Sequence, residues 1–200
     1  HSLALAVAVA RWAAVLGGRT LVLTTSLRAC ERIAAALGAH LAADTASGLQ
    51  LLAQGQGSKR ALLARFRAAA HGGAGAVMVA SVSFWEGVDL PGDVLQLLVI
   101  DKLPFPSPGD PLTQARTLRA RAEGLDSFQA VYLEKAALAL KQGAGRLIRS
   151  ASDRGVLVIA DRRLLTQSYG GLLLGALPPM RRLMEEADMH KALTELLVGE

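Results

Sequence analysis

Gly18-Arg19-Thr20-Leu21-Val22-Leu23-Thr24-Thr25-Ser26 is a short apolar, β-branched run, opened by a glycine and closed by small hydroxyls. A run so short and so apolar reads as a strand buried on both faces, which is how strands of a parallel sheet look. Ser26 then caps a helix over about 27–42, with Glu31 and Arg32 outward and Ile33 and Leu37 inward. Four more such runs follow: Leu49 to Ala53, Ala76 to Ala80, Leu95 to Ile100 and Gly155 to Ala160. Helical spacing is read over 3–16 before the first strand, and over 59–70, 111–123 and 127–142 between later ones. After the last strand, Asp161 caps a helix that begins at Arg162 and ends at Leu177-Pro178-Pro179, and a polar terminal helix closes the chain. Strands alternating with helices predict an α/β fold: a mostly parallel sheet with helices on both faces, in a single domain over 1–200.

Composition narrows the class. Two hundred residues, 52% of them apolar, suffice for one well-filled core, and with 4% aromatics that core must be Ala, Leu, Val and Ile. Lys and Arg number 22 against 17 Asp and Glu, a net +5 that favours a polyanionic partner such as nucleic acid. The lone cysteine, Cys30, excludes an internal disulfide and a cysteine-only metal cluster, and it reads as a small buried residue on a helix. His1, His40, His71 and His190 are too scattered for a metal centre. No apolar run reaches the roughly 18 residues of a membrane span. The start, His1-Ser2-Leu3-Ala4, lacks a methionine and reads as that of a fragment or a processed chain, with no signal-type basic segment.

The chemistry concentrates in a few stretches. In Gln142-Gly143-Ala144-Gly145-Arg146-Leu147-Ile148-Arg149-Ser150, Gln142, Arg146 and Arg149 fall at i, i+4 and i+7, on one helix face. Leu147 and Ile148 point to a core. Each glycine costs a helix about 1 kcal/mol relative to alanine, so a close backbone approach to a neighbour or ligand is expected there. Guanidinium forks fit phosphate oxygens and suit a transferring phosphoryl group; the alternative is a solvated basic face.

Ser83-Phe84-Trp85-Glu86-Gly87-Val88-Asp89-Leu90-Pro91-Gly92 follows a strand directly. Glu86 and Asp89 around Gly87 suit ribose hydroxyls or an ordered water; a capped turn with two core aromatics is the alternative. Asp101-Lys102-Leu103-Pro104-Phe105-Pro106-Ser107-Pro108-Gly109-Asp110-Pro111 is held extended by its prolines. Lys102 and Phe105 there suit a nucleic-acid strand by charge and stacking, against a plain rigid crossover. Thr24-Thr25-Ser26 suits phosphate or a helix cap. No Gly-x-x-x-x-Gly-Lys-[Ser/Thr] loop, no paired acids placed for magnesium and no Gly-x-Ser-x-Gly elbow occur in the sequence. The chain thus has half of a phosphate-handling site, without the half that grips the nucleotide.

Phe84 to Gly92, then Ile100-Asp101-Lys102-Leu103-Pro104-Phe105, then Gln142 to Ser150 closely resemble the second motor domain of DinG/XPD-like helicases, which are superfamily-two DNA helicases. Leu21 to Ser26, Asp153-Arg154-Gly155 and Asp161-Arg162-Arg163-Leu164 are similar too, so the resemblance runs from about residue 18 to 180. It implies a RecA-like three-layer fold and ATP hydrolysis coupled to movement along single-stranded DNA, typically 5′ to 3′, in the cytoplasm. In that family the ATP site lies between two RecA-like domains of one polypeptide. The first brings the phosphate loop and the acids that hold Mg2+, so ATP and Mg2+ are bound mainly there, and the present chain alone is expected to be inactive.

The same resemblance implies that Arg146 and Arg149 face the γ-phosphate, with Arg149 the finger, and that Gln142 senses that phosphate or its attacking water. Glu86, Gly87 and Asp89 would couple nucleotide to DNA, Asp89 near the ribose. Thr25, Ser26, Gln54 and Ser83 would line the DNA path, with Lys102 a further contact. The family's iron–sulfur cysteines belong to the first domain, and this chain carries no ligands for such a cluster. Two alternatives remain open: a translocating ATPase or nuclease that does not unwind, and a non-catalytic nucleic-acid-binding module derived from such a motor.

Overall fold

The computed structural model describes residues 1–85, 90, 93–148 and 153–198, and of Ser83 and Trp85 the backbone alone. Five strands form one sheet: β1 (Thr20–Thr24), β2 (Gln50–Ala53), β3 (Ala76–Ser81), β4 (Leu97–Ile100) and β5 (Val156–Ile159), in the order β2-β3-β1-β4-β5. Every pairing is parallel, with Thr20 opposite both Val77 and Leu97. β1, β3 and β4 are buried along their whole length, as runs without a polar face require. The expected strands are all present, and with helices on both faces the fold is the RecA-like α/β arrangement.

The chain divides into two compact units. The first comprises His1–Lys102, Arg146–Ala160 and Arg181–Glu200. It contains the sheet, α1 (Ser2–Val15), α2 (Leu27–Ala43), α3 (Lys59–His71), a 3₁₀ turn at Val82–Trp85, and the last helix. One face of the sheet, through Val22, Val77, Val79, Leu97, Val99 and Val156, meets Leu5, Val9 and Ala13 of α1 and Ile33 and Leu37 of α2. Cys30 lies in this core, where burial pushes its thiol up. It is a packing residue with a protonated, unreactive sulfur. Leu62, Leu63 and Phe66 of α3 are buried at the spacing read from the sequence.

The second unit comprises Leu103–Gly145 and Asp161–Met180. It holds α4 (Pro111–Ala122), a π-helical turn (Phe128–Leu133) leading into α5 (Glu134–Leu147), α6 (Arg163–Thr166) and α7 (Gly170–Gly175). Asp110 caps α4 by accepting from the Thr113 N–H at 2.8 Å, and the Thr113 hydroxyl, with that N–H, lowers the Asp110 pKa. α5 runs five residues beyond its expected end at 142 and passes from the second unit into the first.

Three further details depart from the sequence reading. The single helix expected after Asp161 is two, α6 and α7, parted at Gln167–Tyr169. Gly170 turns the chain back so tightly that a side chain there would run into the Leu164 carbonyl. The last helix, α8 (Glu186–Val198), is amphipathic rather than polar. Its charges sit outside, while Met189, Ala192, Leu193 and Leu196 join the core beside α1. Finally, a Cβ placed on Gly145 meets no described atom within 4 Å, so no close approach among the described residues explains that glycine.

Candidate functional site

In an open parallel sheet, the crevice at the carboxyl ends opens where successive connections leave in opposite directions. Here the chain leaves β1 towards β2 and β3, and leaves β4 towards β5, so that point lies between β1 and β4. The loops after these two strands are tied together. Asp101, one residue past β4 and 1% exposed, accepts through Oδ1 from the Thr25 N–H at 3.0 Å. That bond holds Thr25 at the rim while its side chain stays exposed. Ser26, also exposed, accepts from the Ala29 N–H at 3.2 Å and so caps α2. Lys102 follows Asp101 and is exposed. Two hydroxyls and one ammonium therefore stand on neighbouring loops at the switch point.

The rim continues past β2 and β3. Gln54 extends the ladder through its backbone N–H to the Val79 carbonyl at 2.9 Å. Its side-chain Oε1 accepts from the Ser81 N–H at 2.7 Å. Ser83 lies two residues further, in the 3₁₀ turn. Its side chain, and Glu86, Gly87 and Asp89 entirely, lie outside the described residues.

Gln142 and Arg146 lie one turn apart on α5, Gln142 exposed and Arg146 half-buried, as their shared helix face predicts. Gly143, Ala144 and Leu147 are buried. Gln142 belongs to the second unit and Arg146 to the first, while Arg149 lies outside the described residues.

Two groupings escaped the sequence reading. One is the Asp101 strut; its only sequence signal was an acid at the end of an apolar strand. The other is in the second unit. Asp161 accepts from the Leu103 N–H at 2.9 Å and from the Arg163 N–H at 3.0 Å, and pairs with the Arg163 guanidinium at 2.6 Å. Burial pushes the Asp161 carboxyl up, but the Arg163 side chain and the two N–H donors overcome it and hold the pKa at about 2. Arg163 in turn lies over the Phe105 ring, 5.4 Å from its centroid. Phe105 also meets Phe128 and Tyr169, and Phe128 stacks on Tyr132. The ring expected to meet a base is thus engaged by an arginine and by aromatic neighbours of its own unit. Among the described residues no His, Cys, Asp or Glu group fits a metal ion, and no helix is long and apolar enough to cross a membrane.

Residues 9–180 match the family model for the helicase C-terminal domain. The chain is 53% identical over 134 residues to the ATP-dependent DNA helicase YoaA of Escherichia coli, covering 67% of this chain and 20% of that protein. It is 38% identical over 180 residues to the ATP-dependent helicase DinG of Mycobacterium tuberculosis, covering 90% and 26%. It is 47% identical over 136 residues to the 3'-5' exonuclease DinG of Bacillus subtilis, covering 67% and 14%. The chain therefore spans between 14% and 26% of the length of these three relatives. A solved XPD helicase structure superposes with a TM-score of 0.58 at 15% identity, over 90% of this chain and 31% of that one, a likeness of fold alone. With a family match across most of its length and the same fold beneath it, the chain belongs to the helicase C-terminal domain family, in its DinG/XPD-like branch.

Proposed function

We propose that these 200 residues act as one domain, the second motor domain of an ATP-dependent DNA helicase of the DinG/XPD type. In this reading single-stranded DNA crosses the carboxyl rim of the sheet. Thr25, Ser26 and Ser83 meet its phosphates through small hydroxyls, and Lys102 meets them by charge. The observation that carries the reading is the β1/β4 switch point, where an open parallel sheet takes its ligand and where exposed Thr25, Ser26 and Lys102 stand together.

Glu86, Gly87 and Asp89 connect that path to the nucleotide. Gln142, Arg146 and Arg149 act on the γ-phosphate of an ATP that is held, with Mg2+, by a first motor domain of the same polypeptide. Arg149 is the finger: a guanidinium brought across an interface contributes about 10³- to 10⁵-fold to phosphoryl transfer. Because it arrives from a separate body, hydrolysis opens and closes the cleft, and that motion becomes a step along DNA. The location implied is the cytoplasm.

The reading is tested on the 200-residue chain itself. A fluorescent oligothymidylate is expected to bind, with affinity falling as salt rises, and ATP turnover is expected to stay at background with or without the oligonucleotide. DNA-stimulated hydrolysis by the chain alone contradicts the division of labour. Absence of any salt-sensitive oligonucleotide binding contradicts the rim assignment. A second reading, a motor that serves a nuclease without unwinding, draws on the exonuclease name of the Bacillus subtilis relative. Strand separation by the full polypeptide distinguishes the two.

A further inference from the structure

The loop after β2 is stapled at two points to the root of the segment that carries Glu86, Gly87 and Asp89. The first staple is Gln54. The ladder pairs Ala53 with Val79, so Gln54 stands opposite Ala80, and in a parallel ladder its backbone carbonyl would receive the Ser81 N–H. The chain instead turns at Gly55, whose φ of +101° suits glycine alone, and the carbonyl is replaced by the side chain of the same residue: Oε1 accepts from Ser81 N–H at 2.7 Å. Gln56 repeats the device, its Oε1 accepting from the Ala53 N–H at 3.0 Å. Both glutamines thus lend side-chain acceptors to strand ends.

The second staple is Lys59, the first residue of α3. Its Nζ lies 5.3 Å from the centroid of the ring of Phe84, a residue 6% exposed within the 3₁₀ turn after β3. An ammonium over an aromatic face is an attractive contact, stronger when the ring is desolvated. Between the staples runs Gly55-Gln56-Gly57-Ser58, a polar, exposed stretch at the same rim as Thr25 and Ser26.

We infer that Gln54 and Lys59 are positioning residues, which fix the β3 exit turn that carries Ser83. This inference rests on the proposed function for the role of Ser83, and gives Gln54 a role distinct from direct DNA contact. The consequence is that Gln54 needs an acceptor oxygen, not an amide donor, and that Lys59 needs a cation over a ring.

Substitutions in the 200-residue chain separate the roles, with amide hydrogen exchange as the readout. Gln54→Leu is expected to speed exchange at Ser81 by about tenfold, the loss of one hydrogen bond, while β1 amides stay unchanged as a control on global stability. Gln54→Glu keeps the acceptor and is expected to keep Ser81 protected. Lys59→Met is expected to speed exchange across Val82–Trp85, and Lys59→Arg to preserve it. Ser81 unaffected by Gln54→Leu, or Gln54→Glu exchanging as fast as Gln54→Leu, overturns the inference.

Oligothymidylate binding gives the second arm. A positioning Gln54 predicts that Gln54→Glu binds within about twofold of the unmodified chain, whereas a phosphate contact replaced by a carboxylate loses about tenfold or more. That loss overturns the inference. If the unmodified chain binds no oligonucleotide, the proposed function fails, and the exchange arm still decides whether the staples exist.

Discussion

Asp161 shows how much one carboxylate can organise. It is 9% exposed and answers two backbone N–H groups and one guanidinium, which is why it stays ionised against the cost of burial. Its pKa of about 2 lies below the ordinary 3.8, so the sign of its pH dependence is fixed. The carboxylate contributes stability at any pH above its unfolded value and loses that contribution as pH falls through the folded one. Asp161→Asn is expected to cost about 2 kcal/mol at pH 7 in urea unfolding, with the gap to the unmodified chain narrowing below about pH 4 and closing near pH 2. A gap independent of pH contradicts the ionic role.

Residue types at this scale were only partly legible. Asp161 was readable as a helix cap because acids at that position serve N–H groups. Its partners Leu103 and Arg163, and the ring under Arg163, come from chain segments whose meeting no local pattern encodes. The sequence likewise leaves Phe105 open between a stacking surface and part of a rigid crossover, because its ring neighbours come from distant segments. Proline spacing shows that the segment is extended, but not which rings lie beside it.

The cap of α2 is where stability and the proposed binding part company. Ser26 accepts from the Ala29 N–H, and its hydroxyl is exposed at the rim. Ser26→Ala is expected to lower stability by about 1 kcal/mol, the usual value of a cap. Ser26→Asp keeps a capping oxygen and is expected to keep stability, yet it sets a carboxylate where phosphate is proposed to lie. Thermal unfolding and oligothymidylate binding, measured on both variants, are therefore expected to diverge: Ser26→Asp folds normally and binds about tenfold more weakly. Equal binding by Ser26→Asp removes Ser26 from the DNA path.

Strands were the most legible elements. Apart from Thr20, Thr24 and Ser81 at their ends, the buried runs are apolar, and a strand without a polar face has few other places to go. Helix ends were less so. The two short helices after Arg162 depend on the contact between Gly170 and the Leu164 backbone, a meeting that helical periodicity does not register. The π-helical turn at Phe128–Leu133 starts where Asp126 Oδ1 accepts from the Phe128 and Gln129 N–H groups, and an extra residue per turn leaves no mark on hydrophobic spacing. α8 reads as polar because its charges are spread along its length, although four buried positions suffice to dock it.

For the whole molecule, the fold brings exposed Thr25, Ser26 and Lys102 to one rim of the sheet, and the sequence carries no phosphate loop. The proposed division of labour needs a second body, so the decisive experiment belongs to the full polypeptide. DNA-stimulated ATP turnover by that polypeptide carrying Arg149→Ala, measured beside its affinity for ATP, tests the central claim most directly. The account predicts a loss of about 10³-fold or more in turnover with ATP binding mostly retained. Turnover at the level of the unmodified protein contradicts it.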